Sequence, residues 1–370
     1  MQRAPARPGD PIDAIETPAL VVDLDALERN LDAMAADVAR RGLRLRPHGK
    51  AHKTPTIAHA QVKRGAVGIC CQKTDEAAAF VEAGIADVLV TNEVVEPAKL
   101  ARLAQLARSA RIGVLVDDAR AVPAIAHAAG HANVTIDCYV EVDVGAGRCG
   151  VAPGEAVVAL VATIAAHDGL RFAGLHCYQG AAQHLRSPDA RRDAIASAAK
   201  HARRSRELIE GAGHACMVVT GGGTGTYEHE LASAVWNEIQ AGSYVFMDAD
   251  YARNEPGAGE RRYEQSLFVL ASVMSAPAPT RAICDAGLKA FSFDAGLPLV
   301  HGRDDLAYRK ASDEHGVLEV VGGRAPALRE RVWLVPGHCD PTVNLYDHFV
   351  CVRNGKVEAL WPITARGAVW

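Results

Sequence analysis

The sequence lacks any uninterrupted run of about 18 apolar residues, the length that lets a helix span a bilayer. Its first residues also lack the apolar core of a secretory signal. Charge of one sign does not dominate, since 40 basic and 44 acidic side chains give a net charge of −4. This balance does not favour nucleic acid or an anionic membrane surface as a partner. We therefore expect a cytoplasmic protein that works without either.

The sequence also lacks a paired cysteine framework. Nine cysteines are scattered along the chain, and no C-x-x-C motif is present. An odd number of cysteines in a chain without a signal argues against a disulfide scaffold. The missing C-x-x-C argues against a zinc ribbon or a thioredoxin-type redox pair. We expect free thiols that are buried as small apolar side chains.

What the chain does contain is an alternation of short apolar runs with alanine-rich segments of helical period. The predicted strands are Leu43–Arg46, Val67–Cys71, Asp87–Val90, Ile112–Val116, Ile136–Val144, Phe172–Cys177, Met217–Val219 and Ile239–Val245. The predicted helices include Asp25–Arg40, Asp75–Ala83, Pro97–Ala107, Gly154–Ala166 and Pro188–Glu210. Eight such units fit a parallel (β/α)8 barrel of the TIM type, although an open doubly wound sheet would give a similar pattern.

The strand ends favour the barrel. Each predicted strand finishes in a polar or glycine-containing cluster, such as Arg46–Lys50 or Thr220–Thr226. Helix caps account for serine, threonine or aspartate there, but not for lysine, arginine or tyrosine. Barrel enzymes gather their functional side chains at this end of the strands. We therefore predict an α/β barrel with its site at the carboxyl ends of the strands.

The pattern changes after about residue 250. Strand-like segments follow at Gln265–Met274, Arg281–Asp285, Val317–Val321, Glu330–Val335 and Phe349–Trp361, with few helices between them. Asn354-Gly355 predicts a tight hairpin turn inside the last segment. Residues 253–262 are polar and suit a linker. We predict a barrel domain over residues 17–250 and a β-rich domain over residues 260–370, to which residues 1–16 could add.

The glycine-rich run Gly221–Gly225 follows a predicted strand. Its backbone N–H groups can close around an anion, and Thr224 adds a hydroxyl donor. No Lys-Ser/Thr follows, so the run is not a nucleotide P-loop. It lies after the seventh strand, where barrels often bind phosphate, and Gly242 and Ser243 could add donors from the eighth. The alternative is a flexible turn.

A second glycine motif, Gly145–Gly150, matches G-x-G-x-x-G. A dinucleotide site needs a helix that opens within the motif, but Pro153 and Gly154 delay the helix here. The motif also follows the fifth strand and not the first. We therefore interpret it as a tight loop that projects Arg148 into the barrel mouth.

Two further clusters carry reactive side chains. Lys50 lies among other cationic groups after the first predicted strand, a setting that lowers a lysine pKa and makes a nucleophile, although a surface basic cluster is equally compatible. His338 and Asp340 follow a strand in the second domain. If the strand continues, both face one side and can bind a divalent ion while Cys339 points away. The alternative is a pair of turn residues.

Taken together, the motifs resemble the D-threonine aldolase and D-serine dehydratase family, pyridoxal-phosphate enzymes of the alanine racemase fold type. The resemblance extends from Thr17 to Gly367. It is carried by Thr17–Asp25, Arg46–Lys53, Cys70–Lys73, Val142–Gly150, Thr220–Gly225, Gln240–Tyr244 and Pro336–Thr342. Asp294–Pro298, His301–Asp305 and Tyr346–His348 resemble the D-3-hydroxyaspartate aldolase branch most closely.

The resemblance implies a fold type III enzyme, with pyridoxal 5'-phosphate and a divalent metal (Mn, Co, Mg or Zn) as cofactors and a homodimer as the assembly. It implies that Lys50 is the Schiff-base lysine and that His184 is a candidate base. The implied cofactor contacts are Gln72, Arg148, Tyr178, Gly223, Thr224, Gly242 and Ser243. The implied metal ligands are His338 and Asp340, with Asp313 in the outer shell.

The resemblance implies retro-aldol cleavage of a D-β-hydroxy-α-amino acid to glycine and an aldehyde, which is glyoxylate from D-3-hydroxyaspartate or acetaldehyde from D-threonine. The main alternative is a metal-dependent D-serine or 3-hydroxyaspartate dehydratase. That branch usually has cysteine as the second metal ligand, where this chain has Asp340. Two others are a racemase, which needs bases on both faces of Cα, and a non-catalytic cofactor-binding protein, which needs no metal.

Overall fold

The computed structural model describes residues 4–370, which form a parallel barrel and a second, mainly antiparallel sheet. The strands are β1 (Ala19–Asp23), β2 (Arg44–Leu45), β3 (Ile69–Cys71), β4 (Asp87–Glu93), β5 (Arg111–Val116), β6 (Ile136–Glu141), β7 (Leu170–His176), β8 (Val219–Gly221), β9 (Glu238–Ile239), β10 (Leu267–Ala278), β11 (Arg281–Cys284), β12 (Leu299–His301), β13 (Leu306–Ala311), β14 (Gly316–Val320), β15 (Arg331–Val335), β16 (His348–Arg353) and β17 (Lys356–Pro362). The helices are α1 (Leu24–Arg40), α2 (Pro55–Lys63), α3 (Thr74–Glu82), α4 (Pro97–Leu106), α5 (Val122–Ala132), α6 (Glu155–Ala165), α7 (Pro188–Gly211), α8 (Tyr227–Ala232), α9 (Ala249–Ala252) and α10 (Cys339–Val343).

The barrel is built from the eight strands β2 to β9. Their order is β2-β9-β8-β7-β6-β5-β4-β3, and every pairing is parallel. A parallel bridge between His48 and Cys70 joins the two outer strands of that order. The closed sheet confirms the predicted (β/α)8 architecture, and all eight predicted strands have a counterpart in it.

The eighth predicted strand is much shorter than expected. Its apolar run predicts Ile239–Val245, but β9 ends at Ile239 and residues Ser243–Val245 form a short 3-10 helix. The Tyr244 N–H donates to the Thr224 hydroxyl at 3.0 Å instead of to a neighbouring strand. The chain therefore turns across the end of the barrel beside the glycine-rich loop.

Helix α1 shows how the sequence forms the outer layer. Its N-terminus is capped by the Asp23 carboxylate, which accepts from the Ala26 N–H at 3.0 Å. The buried side chains Leu27, Leu31 and Met34 recur at intervals of three and four residues and pack onto the barrel core. This spacing fixes which face of the helix is turned inward.

The second sheet has the order β13-β14-β11-β10-β1-β16-β17, with β15 pairing both β10 and β12. Our domain boundaries place residues 19–23 in the barrel domain and no strand is predicted there, yet these residues form β1, which lies between β10 (antiparallel) and β16 (parallel). Pro11 also bridges to Lys356 of this sheet. The N-terminal segment thus extends the second sheet, as we considered for residues 1–16. Residues 1–3 of that segment lie outside the described residues.

The turn between β16 and β17 has the predicted form. Asn354 has φ 49° and Gly355 has φ 74°, and both values are positive as a type I′ turn requires. Strand β12 was not predicted because it has only three residues. Strand β13 was not predicted because its second half carries the exposed charged residues Arg309 and Lys310.

Membrane-spanning helices and disulfide bonds can both be checked in the described part of the chain. No helix between residues 4 and 370 combines the length and apolar character needed to cross a bilayer. All nine cysteines are free thiols; eight of them are buried, and Cys149 is half-buried.

Candidate active site

A cavity of about 110 Å³ opens at the carboxyl ends of the barrel strands. It is lined by His48, Lys50, Gln72, Thr91, Arg148, His176, Tyr178, Gly222, Gly223, Thr224, Gln240, Gly242, Ser243 and Tyr251. Seven of the residues that the sequence assigns to the cofactor therefore meet there with Lys50. The strand-end polar clusters converge as a barrel requires.

Lys50 reaches this cavity from a 3-10 turn, Gly49–Ala51, that follows β2. Gly49 packs so closely on Phe80 that a Cβ would lie 2.6 Å from the ring. The Lys50 ammonium forms an ion pair with the Asp340 carboxylate of the second domain. Burial alone would lower the pKa of Lys50, but the charge of Asp340 and the Tyr178 phenol outweigh it, so the pKa is raised. The cofactor-free lysine is therefore a cation, unlike the activated nucleophile expected from its cationic neighbours.

Lys53, the neighbouring lysine of the same motif, points elsewhere. Its Nζ lies 2.9 Å from Glu76 Oε1 and donates to Asn344 Oδ1 at 3.0 Å. This pairing ties the barrel to the segment after α10 and keeps Lys53 out of the cavity lining. The two lysines thus have different partners, Asp340 for Lys50 and Glu76 for Lys53.

The glycine-rich loop after β8 has the geometry of an anion cradle. Gly222 has φ 81°, which favours glycine, and a Cβ on Gly223 would lie 2.4 Å from Gln183 Oε1. The Thr224 hydroxyl accepts the Tyr244 N–H, which joins this loop to Gly242 and Ser243. A Cβ on Gly242 would lie 2.8 Å from the His48 carbonyl oxygen. Both glycine positions therefore exclude larger side chains, as close backbone approach to a phosphate requires.

The loop Gly145–Gly150 is a tight turn, in agreement with our interpretation. The Asp143 carboxylate accepts the N–H groups of Gly145 and Gly147 at 2.9 and 3.0 Å. Arg148 emerges from it with its guanidinium 5.8 Å from the centre of the Tyr178 ring. The loop places a cation and an aromatic ring side by side at one wall of the cavity.

A cluster of potential metal ligands supports the base of this loop. Ligand atoms of Glu93, Asp117 and Cys149 lie within 4.8 Å of one another, the one such group of three that residues 4–370 contain. The Gly150 N–H donates to Asp117 Oδ2 at 3.1 Å. Burial, followed by the charge of Glu141, raises the pKa of Glu93. These contacts anchor the loop that carries Arg148.

A polar network that was not predicted from the sequence lies beneath the cavity. His176 Nε2 donates to Gln240 Oε1 at 3.0 Å, and Gln240 Nε2 donates to the Thr220 hydroxyl at 2.8 Å. On its other side, His176 Nδ1 lies 3.1 Å from Glu141 Oε2. The position of His176 at the end of β7, beside Tyr178, could have marked it as a candidate site residue. Its partners could not be predicted, because Glu141 and Gln240 are 35 and 64 residues away in the sequence.

His48 forms the opposite part of the floor. Burial, reinforced by the charge of Lys50, holds its pKa well below the ordinary value, so the imidazole is neutral. Its Nδ1 accepts the Lys50 backbone N–H at 3.3 Å, and its Nε2 therefore donates to the Thr91 hydroxyl at 2.9 Å. The side chain holds the lysine turn in register with β4.

The loop that carries the predicted metal ligands differs from our expectation. The strand-alternation argument for His338 and Asp340 is wrong, because β15 ends at Val335 and α10 begins at Cys339. Pro341 suits the first turn of a helix, and the Thr342 hydroxyl donates to the His338 carbonyl at 2.8 Å. Cys339 is turned into the interior, with its thiol 3.2 Å from Asp340 Oδ1.

Both predicted ligands nevertheless retain donor atoms suited to a cation. His338 Nδ1 lies 2.7 Å from Asp294 Oδ2, which leaves Nε2 as the free donor atom, an arrangement typical of metal-bound histidine. Burial would raise the pKa of Asp340, but Lys50 and His338 hold it well below the ordinary value. The donor set of one imidazole and one carboxylate therefore fits a divalent ion.

Asp313 is not brought into this cluster. It lies exposed in the turn between β13 and β14, and its carbonyl oxygen accepts the Lys289 N–H at 3.1 Å. No described contact joins it to His338 or Asp340. The carboxylate beside His338 is that of Asp294, and no pattern in the sequence pairs these two residues.

His184 ends a short 3-10 helix, Gly180–His184, beyond β7. Its side chain is 55% exposed, and its Nδ1 lies 2.6 Å from Asp250 Oδ2. Its ring centre lies 6.2 Å from that of Tyr251, which lines the cavity. His184 therefore sits at the rim of the site, where a substrate side chain can reach it.

Comparison with known proteins agrees with this geometry. Residues 22–250 match the family model described as "Alanine racemase, N-terminal domain". Residues 266–352 match the model described as "Putative serine dehydratase domain". The two matches meet near the junction between the barrel and the second sheet.

Curated relatives match over nearly the whole chain. A D-threonine aldolase of Arthrobacter sp is 50% identical over 98% of this chain and 96% of its own. A 3-hydroxy-D-aspartate aldolase of Paracoccus denitrificans (strain Pd 1222) is 48% identical over 98% of this chain and 95% of its own. The crystal structure of D-threonine aldolase from Filomicrobium marinum is 48% identical and superposes with a TM-score of 0.98, over 99% of this chain and 100% of that one.

Proposed function

This chain belongs to the D-threonine aldolase and D-serine dehydratase family, within the alanine racemase fold, and is a carbon–carbon lyase; we propose that it cleaves D-β-hydroxy-α-amino acids to glycine and an aldehyde. D-3-hydroxyaspartate and D-threonine are the proposed substrates. The proposed cofactors are pyridoxal 5'-phosphate and a divalent metal such as Mn²⁺. The homodimer that the resemblance implies and the cytoplasmic location expected from the sequence both stay predictions.

The observation that supports this proposal most directly is the contact between Lys50 and Asp340. A lysine at the end of a barrel strand meets a carboxylate beside His338 from the second domain. A substrate bound next to Lys50 would therefore lie within reach of an ion on His338 and Asp340. The proposed cleavage would use Lys50 and this ion at one carbon–carbon bond.

The residues present fit pyridoxal phosphate. Gly222, Gly223 and Gly242 line the cavity, where backbone N–H groups could donate to a phosphate, and Thr224 and Ser243 add hydroxyls. Gln72, Arg148 and Tyr178 would surround the ring. When bound there, the cofactor would supply a sink for the electrons released at Cα.

The second domain would contribute charge at the substrate's β-oxygen. A divalent ion on His338 Nε2 and Asp340 would supply the positive charge that stabilises an alkoxide. His184 would take the hydroxyl proton on Nε2, since its Nδ1 is engaged by Asp250. The O–H electrons would then form the carbonyl while the Cα–Cβ pair passes to Cα. A proton from water would complete glycine there, and His184 would return its own proton to the solvent. Loss of the Cα proton instead would lead to elimination.

The test is to identify the products of D-3-hydroxyaspartate, D-threonine and D-serine with Mn²⁺ and pyridoxal phosphate supplied. We expect glycine and glyoxylate from D-3-hydroxyaspartate, and glycine and acetaldehyde from D-threonine. EDTA should abolish the activity, and Mn²⁺ should restore it. Asp340→Ala should not recover at the Mn²⁺ level that saturates the unmodified enzyme. Oxaloacetate and ammonia as the main products would instead identify a dehydratase.

A further inference from the structure

The imidazole of His184 is held by a carboxylate from a different element, Asp250 of α9. The distance from His184 Nδ1 to Asp250 Oδ2 is 2.6 Å, although the residues are 66 positions apart. The histidine side chain is 55% exposed, whereas that of Asp250 is only 8% exposed. A solvent-exposed ring is thus held on one side by a buried acceptor.

The two oxygens of Asp250 have different partners. Oδ1 pairs with the Arg186 guanidinium and lies 3.6 Å from Arg253, so Oδ2 remains for His184. Arg186 also donates to the Asp250 carbonyl oxygen at 2.7 Å. Burial would raise the pKa of Asp250, but the hydrogen bonds from Arg186 and His184 outweigh it and lower the pKa. The carboxylate is therefore ionised and cannot rotate without breaking an ion pair.

The backbone around Asp250 is tied to the loop of the metal ligands. The Asp250 N–H donates to the Gly337 carbonyl at 3.1 Å. The preceding Asp248 carboxylate caps α9 through the Tyr251 N–H and accepts the Cys339 N–H, each at 2.9 Å. His184 is thus positioned relative to His338 and Asp340 through α9 and not only through its own loop.

We propose that Asp250 is a positioning residue for the hydroxyl proton transfer. By accepting the Nδ1–H of His184, it keeps the neutral imidazole in the tautomer whose lone pair lies on Nε2, the nitrogen left free to face the substrate. The O–H bond of the substrate breaks as Nε2–H forms, and Asp250 stabilises the resulting imidazolium without taking a proton. This inference rests on the proposed aldol cleavage.

Asp250→Asn tests the tautomer directly. Because Arg186 requires an acceptor, the asparagine carbonyl should face Arg186 and its NH₂ group should face His184. Nδ1 then accepts and Nε2 carries the proton. In ¹⁵N-histidine NMR spectra of the folded protein, assigned by the signal missing from His184→Gln, we expect the proton on Nδ1 in the unmodified chain and on Nε2 in Asp250→Asn. A proton on Nε2 in the unmodified chain would overturn the proposal.

Kinetics then test the consequence. Asp250→Asn should lower kcat about 10²–10⁴-fold with KM, the visible absorbance of the bound cofactor and Mn²⁺ affinity little changed. Asp193→Asn, an exposed aspartate of α7, is the matched control and should leave kcat unchanged. The double variant His184→Gln/Asp250→Asn should lose no more activity than His184→Gln, because both changes remove one function.

The possible failures are distinguishable. If the unmodified enzyme releases no glycine and aldehyde, the proposed function is wrong, while the tautomer measurement still reports on Asp250. If cleavage occurs but Asp250→Asn keeps its kcat, or if the two changes multiply in the double variant, Asp250 does not act through His184. Normal thermal unfolding of Asp250→Asn, with kcat lost, separates positioning from a folding defect.

Discussion

The barrel and the second sheet contribute to the site in different ways. The barrel presents side chains from the ends of several strands, such as Lys50, Thr91, His176 and Gln240, each fixed by a buried hydrogen bond or ion pair. The second sheet contributes one loop after β15, which is held by Asp248 and Asp294 rather than by neighbouring strands. Cofactor contacts thus come from a rigid rim, and the candidate metal ligands come from a single braced loop.

Because of this difference, cofactor binding and metal binding should be separable by mutation. Changes in the barrel are expected to alter cofactor binding with little effect on the metal, and changes in the loop are expected to do the reverse. The Lys50–Asp340 ion pair is the point where the two regions meet. Four single-residue variants test this separation.

The largest effect is expected at the barrel side of that meeting point. Lys50→Ala should abolish turnover and remove the visible absorbance of the bound cofactor, because no other lysine lines the cavity within residues 4–370. Mn²⁺ affinity should be kept. Borohydride reduction followed by peptide mapping should place the cofactor on Lys50, and Lys73→Ala is the control. A cofactor trapped on Lys53 or Lys73 would contradict the assignment.

The next effect belongs to the loop. Asp294→Ala should weaken Mn²⁺ binding roughly 10–100-fold, because His338 loses the carboxylate that orients its ring. Cofactor absorbance should not change. Mn²⁺ titration followed by electron paramagnetic resonance measures this, with the exposed Asp193→Asn as a control. Equal losses of metal and cofactor would break the separation of the two regions.

A smaller effect is expected in the phosphate cradle. Gly223→Ala should raise the cofactor Kd about tenfold, because overpacking at this level costs about 1–3 kcal/mol and the added Cβ would lie 2.4 Å from Gln183 Oε1. Equilibrium titration with pyridoxal phosphate measures it. Gly322→Ala, likewise at a glycine without a positive φ but with open space at its Cβ position, is the matched control. An unchanged Kd would argue against a cradle here.

The smallest effect on cofactor binding is expected at Glu230, a buried carboxyl behind the same loop. Burial raises its pKa from 4.5 to about 7, since the Thr226 hydroxyl on Oε1 offsets the burial only in part and Oε2 has no hydrogen-bond partner among residues 4–370. The raised pKa means that its stabilising contribution is complete below pH 4.5 and is lost as pH rises through 7. Glu230→Gln should therefore flatten the decline in the free energy of unfolding across that window, by about 3 kcal/mol, as chemical denaturation at several pH values would show.

The titration of Glu230 should also affect cofactor binding and metal binding differently. Above pH 7 the negative charge of Glu230 faces the glycine-rich loop, so Glu230→Gln should bind the cofactor a few times more tightly at pH 8 and equally at pH 5. Mn²⁺ affinity should not depend on this residue. A tighter cofactor complex at both pH values would point to a change of packing and not of charge.

The architecture and most of the site could be predicted from sequence because their signals are local. Strand ends, glycine spacing and the Lys50 motif lie in short segments, and parallel strands bring them to one edge. The partners of His176, His184 and His338 could not be predicted, because Glu141, Asp250 and Asp294 are joined to them only by the fold. The His338–Asp340 segment misled us since an apolar strand before it suggests continued alternation, whereas Pro341 favours a helical turn.

Strand β1 has a consequence for how the chain is assembled. It precedes its two neighbours, β10 and β16, by about 250 and 330 residues. During synthesis the apolar strand Ala19–Asp23 must therefore remain unpaired until β10 has left the ribosome, and it gains its second neighbour only with β16. Closing so long a loop costs entropy before any contact rewards it, and unpaired strands invite aggregation. The second sheet is thus completed only after all the strands of the barrel have been made.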